Sequence, residues 1–169
     1  MKRILLTALL LLGSTVAKAD LMFDMSVFYD STTVDKTDYT KKEGHLFIAM
    51  PVAVKEQLYL GPNFIVTDNQ STGGGVGTTE IGPRINYYFN QDKTFLVALA
   101  WHPYVKFDGS SDTGHSYIAG LGYEMKVNTN FFIGASIVYH SITQSNETTN
   151  VDVTTSTVRP MINFSFRFK

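Results

Sequence analysis

The sequence predicts an all-β fold in which eight strands close into an antiparallel, up-and-down transmembrane β-barrel. Three observations carry this prediction. Apolar and polar residues alternate with a period of two in segments of about ten residues, the length that a tilted strand needs to cross a bilayer. Long and short polar connections alternate between these segments. Aromatic residues gather at both ends of the apolar faces, as at two membrane boundaries.

Each strand is predicted because one apolar face alternates with small or polar residues. The second strand is the least regular, since Phe47 competes with its neighbours for the apolar face. In chain order the apolar faces are Phe23, Met25 and Val27; Leu46, Ile48 and Met50; Leu58, Leu60, Phe64 and Val66; Ile81, Ile85 and Tyr87; Leu99, Trp101, Val105 and Phe107; Tyr117, Leu121 and Tyr123; Phe131, Ile133 and Ile137; and Phe164, Phe166 and Phe168.

The last predicted strand has a continuous apolar face, which must be covered either by other parts of the protein or by lipid. Phe164, Phe166 and Phe168 share one face, and Ser165 and Arg167 lie on the other. In lipid every backbone donor must be paired, so the strands have to close without a free edge. We therefore expect the three phenylalanines to form the lipid face of a closing strand that pairs with the strand beginning at Leu21.

Residues 1–19 predict a secretory signal peptide. Two basic residues precede an apolar run, 4–12, and residues 17–19 form a small-x-small cleavage site. The run is much shorter than the roughly 20 residues of a helical membrane span. We therefore expect export and a single mature barrel domain, residues 20–169.

Composition excludes several kinds of site. The chain has no cysteine, which excludes disulfides, thiol chemistry and cysteine metal sites, and we expect no metal and no cofactor. Removal of the signal peptide takes the 14 basic residues to 11 against 15 acidic ones, a formal charge of −4. This acidity argues against nucleic-acid binding, which needs a basic surface.

The connections predict two different sides of the membrane. The tight ones run from Pro51 to Gln57, Asn90 to Lys93 and Val127 to Asn130. The long ones are expected to be four extracellular loops, namely Ser31 to Gly44, Asp68 to Gly77, Asp108 to Gly114 and Gln144 to Ser156.

The final long connection has a second interpretation. Its Thr- and Val-rich part, Thr148 to Val158, can continue as a ribbon above the bilayer, whose edge would accept a strand from another protein. Val151 and Val153 break the parity of Val158, so either a bulge intervenes or the segment is a loop.

Two aromatic girdles are expected at the membrane boundaries. The girdle beside the tight turns comprises Tyr87, Phe89, Phe95, Phe131, Phe166 and Phe168, and the opposite one comprises Tyr29, Phe107, Tyr117 and Tyr139.

The polar faces then line a narrow lumen that eight strands leave just wide enough for side chains. Charges of both signs should pair there, because an isolated charge away from water is costly. We expect a structural plug of salt bridges, with Arg167 meeting Asp24 or Glu124; the alternative is a constricted pore or a proton-sensitive site at His102 and His140. The predicted lumen residues are Asp30, Glu80, Arg84, His102, Glu124, Lys126, His140, Arg159 and Arg167.

The chain resembles the small outer-membrane barrel family of Gram-negative bacteria, which includes OmpX, OmpW and the membrane domain of OmpA. The aromatic closing strand, Phe164 to Phe168, is the most specific element of the resemblance. The resemblance implies an outer-membrane location, contact with lipid and lipopolysaccharide, and handling by periplasmic chaperones and the outer-membrane assembly machinery, which reads a final aromatic residue. Lys169 after Phe168 departs from that pattern.

Two features leave a second fold open, a soluble lipocalin-type barrel that is apolar inside and polar outside. Periodicity alone does not say which face points inward. In addition, Pro62, Pro83, Pro103 and Pro160 fall inside predicted strands, although proline cannot donate to a strand ladder. These prolines predict bulges or locally broken pairing.

Three functions from three classes fit a membrane barrel. The first is a structural or surface-interaction role through the four long loops, which we expect of a monomer. The second is a narrow, OmpW-like channel for small or apolar solutes. The third is a lipid A-modifying enzyme, which we do not expect, because the adjacent pairs His115-Ser116 and His140-Ser141 face opposite ways in a strand.

Overall fold

Eight strands follow one another around a closed antiparallel barrel, and each pairs with the next in the chain. The computed structural model describes residues 21–34, 37–52, 57–71, 75–146 and 151–168. The predicted signal peptide, residues 1–19, and Lys169 lie outside the described residues. The strands are β1 Leu21–Val34, β2 Thr37–Pro51, β3 Leu58–Ser71, β4 Thr78–Tyr88, β5 Phe95–Phe107, β6 Thr113–Lys126, β7 Phe131–Asn146 and β8 Val151–Phe168.

The alternation predicted from the sequence determines the two faces of the wall. Outward side chains are apolar and exposed, for example Leu99 at 54%, Leu121 at 64% and Ile137 at 63%. Inward side chains are often polar or charged and are buried, as Glu80 and His102 are. A lipocalin-type barrel needs the reverse arrangement, and so large an apolar outer surface needs lipid around it. The prediction of an eight-stranded transmembrane barrel is confirmed.

No helix within the described ranges has the length and apolar character needed to cross a membrane.

The prolines lie where the strand ladders are interrupted. The β4–β5 register shifts between Ile81 and Arg84, which brackets Pro83. The β5–β6 register shifts between His102 and Val105, so that Pro103 and its neighbour Tyr104 form a bulge. At a bulge one residue is left unpaired, so the missing amide hydrogen of proline costs little.

The other two prolines have related positions. Pro62 lies opposite Pro83 across β3–β4, next to the same interruption. Pro160 lies just beyond Ile162, where the pairing of β8 with β1 ends. Each proline thus lies beside a bulge or at the end of a ladder, as its chemistry requires.

The bulge in β5 overturns one assignment made from periodicity. Val105 and Phe107 were expected on the lipid face, with Phe107 in the outer aromatic girdle. Both point into the barrel instead, at 0% and 6% exposure, and Tyr104 faces outward at 49%. The reason is that one extra residue in a strand reverses the facing of every residue after it.

The expectation of four long loops is also wrong in two places. Most of Ser31 to Gly44 is strand, because β1 and β2 stay paired as far as Val34 opposite Thr37. Most of Gln144 to Ser156 is strand as well, since β7 and β8 pair in one unbroken register up to Asn146 opposite Val151. Long hairpins, here called the outer ribbons β1–β2 and β7–β8, therefore replace the first and last loops.

From Val151 onward the ribbon interpretation of the last hairpin is thus the correct one, and it needs no bulge; residues 148–150 lie outside the described residues. Val151 and Val153 are both more than half exposed, at 55% and 56%. Beyond the closed wall of the barrel neither face of a two-stranded ribbon is buried, so the alternation that turns Val158 outward need not continue there.

The seam that closes the barrel is shorter than either outer ribbon. β1 pairs with β8 from Leu21 opposite Phe168 to Val27 opposite Ile162. Beyond Val27, the described part of β1 is paired with β2 alone, and the matching part of β8 is paired with β7 alone. The two outer ribbons therefore separate above the seam and present two strand edges.

Candidate functional site in the barrel lumen

The inward polar residues form two buried groups at different heights. We call the end with the β2–β3, β4–β5 and β6–β7 connections the turn end, and the opposite end the ribbon end. The central cluster comprises Glu43, His45, Glu80, His102, Ser116, His140 and Arg159. The turn-end cluster comprises Asp24, Arg84, Asn86, Tyr88, Glu124 and Arg167.

Glu80 is the centre of the first group. Its carboxylate has no solvent exposure and accepts a 2.5 Å hydrogen bond from Ser116 Oγ. His140 Nε2 lies 3.0 Å from the same oxygen, Oε2, and His102 Nδ1 lies 3.7 Å from it. One carboxylate therefore joins side chains from β5, β6 and β7.

The His102 ring is fixed on both of its nitrogens. Nδ1 lies 2.9 Å from Ser116 Oγ, and Nε2 lies 2.9 Å from Asn63 Nδ2 on β3. Because the ring is fully buried, these two contacts replace the water that it would bind in solution. They hold the ring in one orientation across the lumen.

Glu43 completes the central cluster on the opposite wall. Its Oε1 lies 2.8 Å from His45 Nε2 and 3.7 Å from His140 Nδ1, and it pairs with the Arg159 guanidinium. Arg159 in turn lies over the Phe28 ring, 5.9 Å from its centroid. Buried charges of both signs thus compensate one another, as their removal from water demands.

The turn-end cluster has a similar construction. Arg84 donates from Nη2 to Asp24 Oδ2 at 3.0 Å and from Nε to Asn86 Oδ1 at 2.8 Å. Arg167 pairs with Glu124, which also accepts a 3.3 Å hydrogen bond from Tyr88. Of the two partners expected for Arg167, the structure places Glu124 beside it.

The structure brings most of the predicted lumen residues together in two clusters, but it places two of them elsewhere. Asp30 is exposed on the β1 ribbon, where Thr32 Oγ1 donates to it at 3.4 Å, so its assignment to the lumen cluster is wrong. The physical reason is the position of Asp30 along the barrel axis, because the pairing of β1 with β8 ends at Val27 and the wall is no longer closed at Asp30. Lys126 is exposed at the turn end for the same reason, since β6 ends there.

Sequence reasoning missed Glu43 and His45, which belong to the central cluster. Glu43 was assigned to a loop, and His45 was the first residue of a strand whose facing was ambiguous. The alternation of Glu43, His45, Phe47 and Ala49, all of them buried, is the signal that could have extended β2 to include them.

Apolar side chains fill the space around the polar clusters. One layer lies near the turn end and contains Met22, Phe47, Ala49, Tyr59, Tyr88, Leu96 and Ala98. A second layer contains Ile65, Ala100, Ile118, Val138 and Met161. A cavity of about 10 Å³ remains beside His45 and Arg84, which is about the room that one water molecule needs.

The central cluster contains the residue types of a nucleophilic triad, a serine, a histidine and a carboxylate, but holds them fully buried. The Ser116 hydroxyl donates a hydrogen bond to Glu80, and Ser116, His102 and Glu80 each have 0% exposure. A nucleophile needs both an adjacent base and access for its substrate. Within the described residues, no group of three or more histidine and carboxylate side chains could hold a metal ion.

No protein-family model and no curated protein sequence matches this chain. Several solved barrels have a similar fold. The β domain of the Bordetella autotransporter BrkA is 12% identical, with a TM-score of 0.49 and coverage of 89% of this chain and 72% of that one. The outer membrane protein AlkL, solved by solid-state NMR in DMPC bilayers, is 16% identical, with a TM-score of 0.44 and coverage of 89% and 90%.

A de novo designed transmembrane β-barrel is 13% identical, with a TM-score of 0.41 and coverage of 88% of this chain and 95% of that one. At these identities the likeness concerns the fold, and the fold of this chain is an eight-stranded antiparallel transmembrane β-barrel.

Proposed function

We propose that the protein is an integral outer-membrane barrel with a closed lumen, whose role is structural and interactive at the cell surface. The filled lumen carries the proposal. Two ion-paired clusters and two apolar layers occupy it, and the space left beside His45 and Arg84 is about 10 Å³. A solute path would require three buried ion pairs to separate away from bulk water, which is costly: Arg84–Asp24, Arg159–Glu43 and Arg167–Glu124.

Planar-bilayer recording tests the closed lumen. The folded protein, with its folding checked by the different gel migration of boiled and unboiled samples, is expected to give no reproducible current steps. The double variant Glu80→Ala/Glu43→Ala, which removes both acids of the central cluster, is the matched positive control, because it opens space and removes the Glu43–Arg159 ion pair and the contacts of Glu80 with Ser116 and His140. Regular steps from the unaltered protein would contradict the proposal and favour the narrow channel.

The outer ribbons support an interactive role. Above Val27 and Ile162 the facing edges of β1 and β8 have no partner strand among the described residues. An unpaired strand edge offers backbone donors and acceptors to a strand of another protein. The hydroxyl-rich ribbon β7–β8, with Thr143 Oγ1 and Thr154 Oγ1 3.0 Å apart across it, keeps such an edge soluble.

Cysteine labelling tests the location and the orientation together. The chain has no cysteine, so one introduced at Val153 in the β7–β8 ribbon is a unique label site. A membrane-impermeant maleimide is expected to label Val153→Cys on intact cells and to label Asn128→Cys, in the β6–β7 turn, only after cell lysis. Labelling of the turn and not the ribbon would contradict the proposed orientation.

The closing strand supports passage through the outer-membrane assembly machinery, with periplasmic chaperones before it and lipid and lipopolysaccharide around it afterwards. Phe164, Phe166 and Phe168 face outward, and Phe168 packs edge-on against Phe23 across the seam, with ring centroids 6.1 Å apart. This places an aromatic strip where a membrane boundary prefers one.

The proposal includes the absence of catalysis. It rests on the sealed position of Ser116 and on the direction of its hydrogen bond toward Glu80. Mass spectrometry of lipid A from cells with and without the protein is expected to give the same acyl pattern. A change in that pattern that Ser116→Ala abolishes, with folding retained, would establish a lipid-modifying enzyme instead.

A further inference from the structure

A cavity of about 410 Å³ opens at the turn end, outside the two lumen clusters apart from sharing Arg167. It lies between the β4–β5 and β6–β7 turns. The side chains that define its chemistry are Tyr59, Lys93, Lys126, Phe132, Arg167 and Phe168. Its volume falls within the roughly 300–1,000 Å³ of pockets for small molecules.

The cavity wall has more positive than negative charge. Lys93, Lys126 and Arg167 line it, against the single carboxylate of Asp92 among the described residues. Arg167 is neutralised by Glu124, but neither lysine forms an ion pair with a described residue. The buried Nε of Arg167 also has no hydrogen-bond partner within the described part of the chain. Two ammonium groups without a carboxylate partner, and a guanidinium donor without an acceptor, among the described residues favour a bound anion.

The backbone at Lys93 adopts an unusual conformation that orients this charge. Its φ is 53°, in the left-handed region that residues other than glycine seldom adopt. In this conformation its carbonyl accepts a 3.0 Å hydrogen bond from Arg167 Nη1, and its Nζ donates to the Tyr59 hydroxyl at 2.8 Å. Backbone strain of this kind is concentrated at ligand sites, where surrounding contacts maintain it.

Aromatic rings supply the remaining wall. Phe132 is buried beneath the Arg167 guanidinium, which lies 3.8 Å from its ring centroid. Phe168 is 45% exposed at the rim. A cavity that combines rings with fixed cations suits a ligand with a flat apolar body and one anionic group.

We propose that this cavity binds a small organic anion, with its phosphate group between Lys93 and Lys126 and its apolar body against Phe132 and Phe168. A soluble phosphate monoester and a lipid headgroup of the adjacent leaflet both carry this phosphate, and the chemistry of recognition is the same for the two. The proposal concerns only the turn-end mouth of the barrel, so phenyl phosphate binding there does not depend on whether the lumen conducts or on what the outer ribbons bind.

Phenyl phosphate is the probe, and backbone amide NMR of the folded protein in an uncharged maltoside detergent is the measurement. A phosphocholine detergent would compete for the site. Saturable shifts are expected for residues 91–94 and 128–130. Lys126→Gln and Lys93→Gln are each expected to weaken binding roughly tenfold, the effect of losing one charged hydrogen bond. Lys106→Gln, at the ribbon end of β5, is the matched control and is expected to leave binding unchanged.

Two further arms identify the source of the phosphate. Displacement of phenyl phosphate by phosphatidylglycerol added to the micelles assigns the site to a lipid headgroup, and retention of phenyl phosphate assigns it to a soluble anion. Benzyl alcohol, which has the ring without the charge, is expected to bind much more weakly. The proposal is overturned if phenyl phosphate gives no saturable shift, if benzyl alcohol binds equally well, or if Lys126→Gln binds as the unaltered protein does. Lys126 is exposed, so its substitution keeps the test valid even where Lys93→Gln alters the turn.

Discussion

Glu80 is the residue on which the central cluster depends. Its carboxylate is hydrogen-bonded to Ser116 and His140 and lies beside His102. Side chains from three other strands of the wall therefore surround one buried carboxylate. Ser116 and His140 have lost water on burial and contact Glu80 in its place. A change at this position therefore alters the environment of several side chains at once.

Glu80→Gln is expected to destabilise the folded barrel by about 1–3 kcal/mol, because the amide cannot accept from both Ser116 and His140 as the buried carboxylate does, which leaves a buried polar group unpaired. Asp30→Asn is the matched control, since Asp30 has the same lumen parity but is exposed on the β1 ribbon. Its substitution is expected to stay within about 0.5 kcal/mol. Urea unfolding in lipid vesicles, followed by the shift between folded and unfolded gel mobility, measures both. Equal effects of the two substitutions would refute the central role of Glu80.

At the level of strands, bulges decide which residues the lumen receives. The extra residue at Pro103 and Tyr104 reverses β5, so that Val105 and Phe107 enter the barrel. At the β4–β5 register shift between Ile81 and Arg84, the β4 backbone approaches the β5 backbone closely at Gly82. An ideal Cβ on Gly82 would lie 2.0 Å from the Trp101 carbonyl oxygen.

Gly82→Ala is accordingly expected to cost about 1–3 kcal/mol, because the added methyl group forces the two backbones apart. Gly44→Ala in β2 is the matched control, as a Cβ there meets nothing within 4 Å. That substitution is expected to leave stability unchanged or to raise it by about 0.5 kcal/mol, since alanine loses less backbone entropy than glycine in a strand. The same urea assay measures both, and a tolerated Gly82→Ala would contradict the close approach.

The inward-facing residues were predictable where the alternation of inward and outward side chains is uninterrupted along a strand. They were not predictable beyond a bulge, where the alternation shifts by one residue. Alternation places Glu80, His102 and His140 inward because their strands are regular up to those points. Phe107 could not be placed, because nothing in the local pattern gives the side on which a bulge adds its residue. The prolines marked the strands that carry irregularities but not the direction of the shift.

The position of a residue along the barrel axis was the second property that could not be predicted from the sequence. The period of two fixes a face, but it does not say where the closed wall ends. Asp30 has the correct parity for the lumen and lies above it, and Glu43 has the same parity and lies inside. The pairing partner of each strand decides between these outcomes, and that is a long-range property.

For the whole molecule, the lipid belt determines where a charge is tolerated. The outward face of β5 is apolar from Phe95 through Leu99 to Trp101, and these side chains are about half exposed. The exposed Val151 has a similar side chain, but it lies on the β7–β8 ribbon. Leu99 and Val151 are therefore about equally exposed, and the two positions differ in whether lipid or water is expected around the side chain.

Leu99→Lys is expected to destabilise the barrel by about 2–4 kcal/mol, the cost of a cation near the bilayer midplane. Val151→Lys is expected to change stability by less than about 0.5 kcal/mol, because water surrounds the ribbon. Reversible urea unfolding from vesicles gives both values. If the two substitutions cost the same, the proposed position of the membrane along the strands is wrong.

The short β1–β8 seam also has a consequence for the order in which the barrel forms. It joins the two ends of the described chain, so it pays the largest loop-closure entropy of any strand pair, and it runs only from Leu21 opposite Phe168 to Val27 opposite Ile162. The other strand pairs can zip between chain neighbours, as β7 and β8 do along their whole length. We therefore expect closure to be the last event of folding, with a curved sheet that has two open edges preceding the finished cylinder.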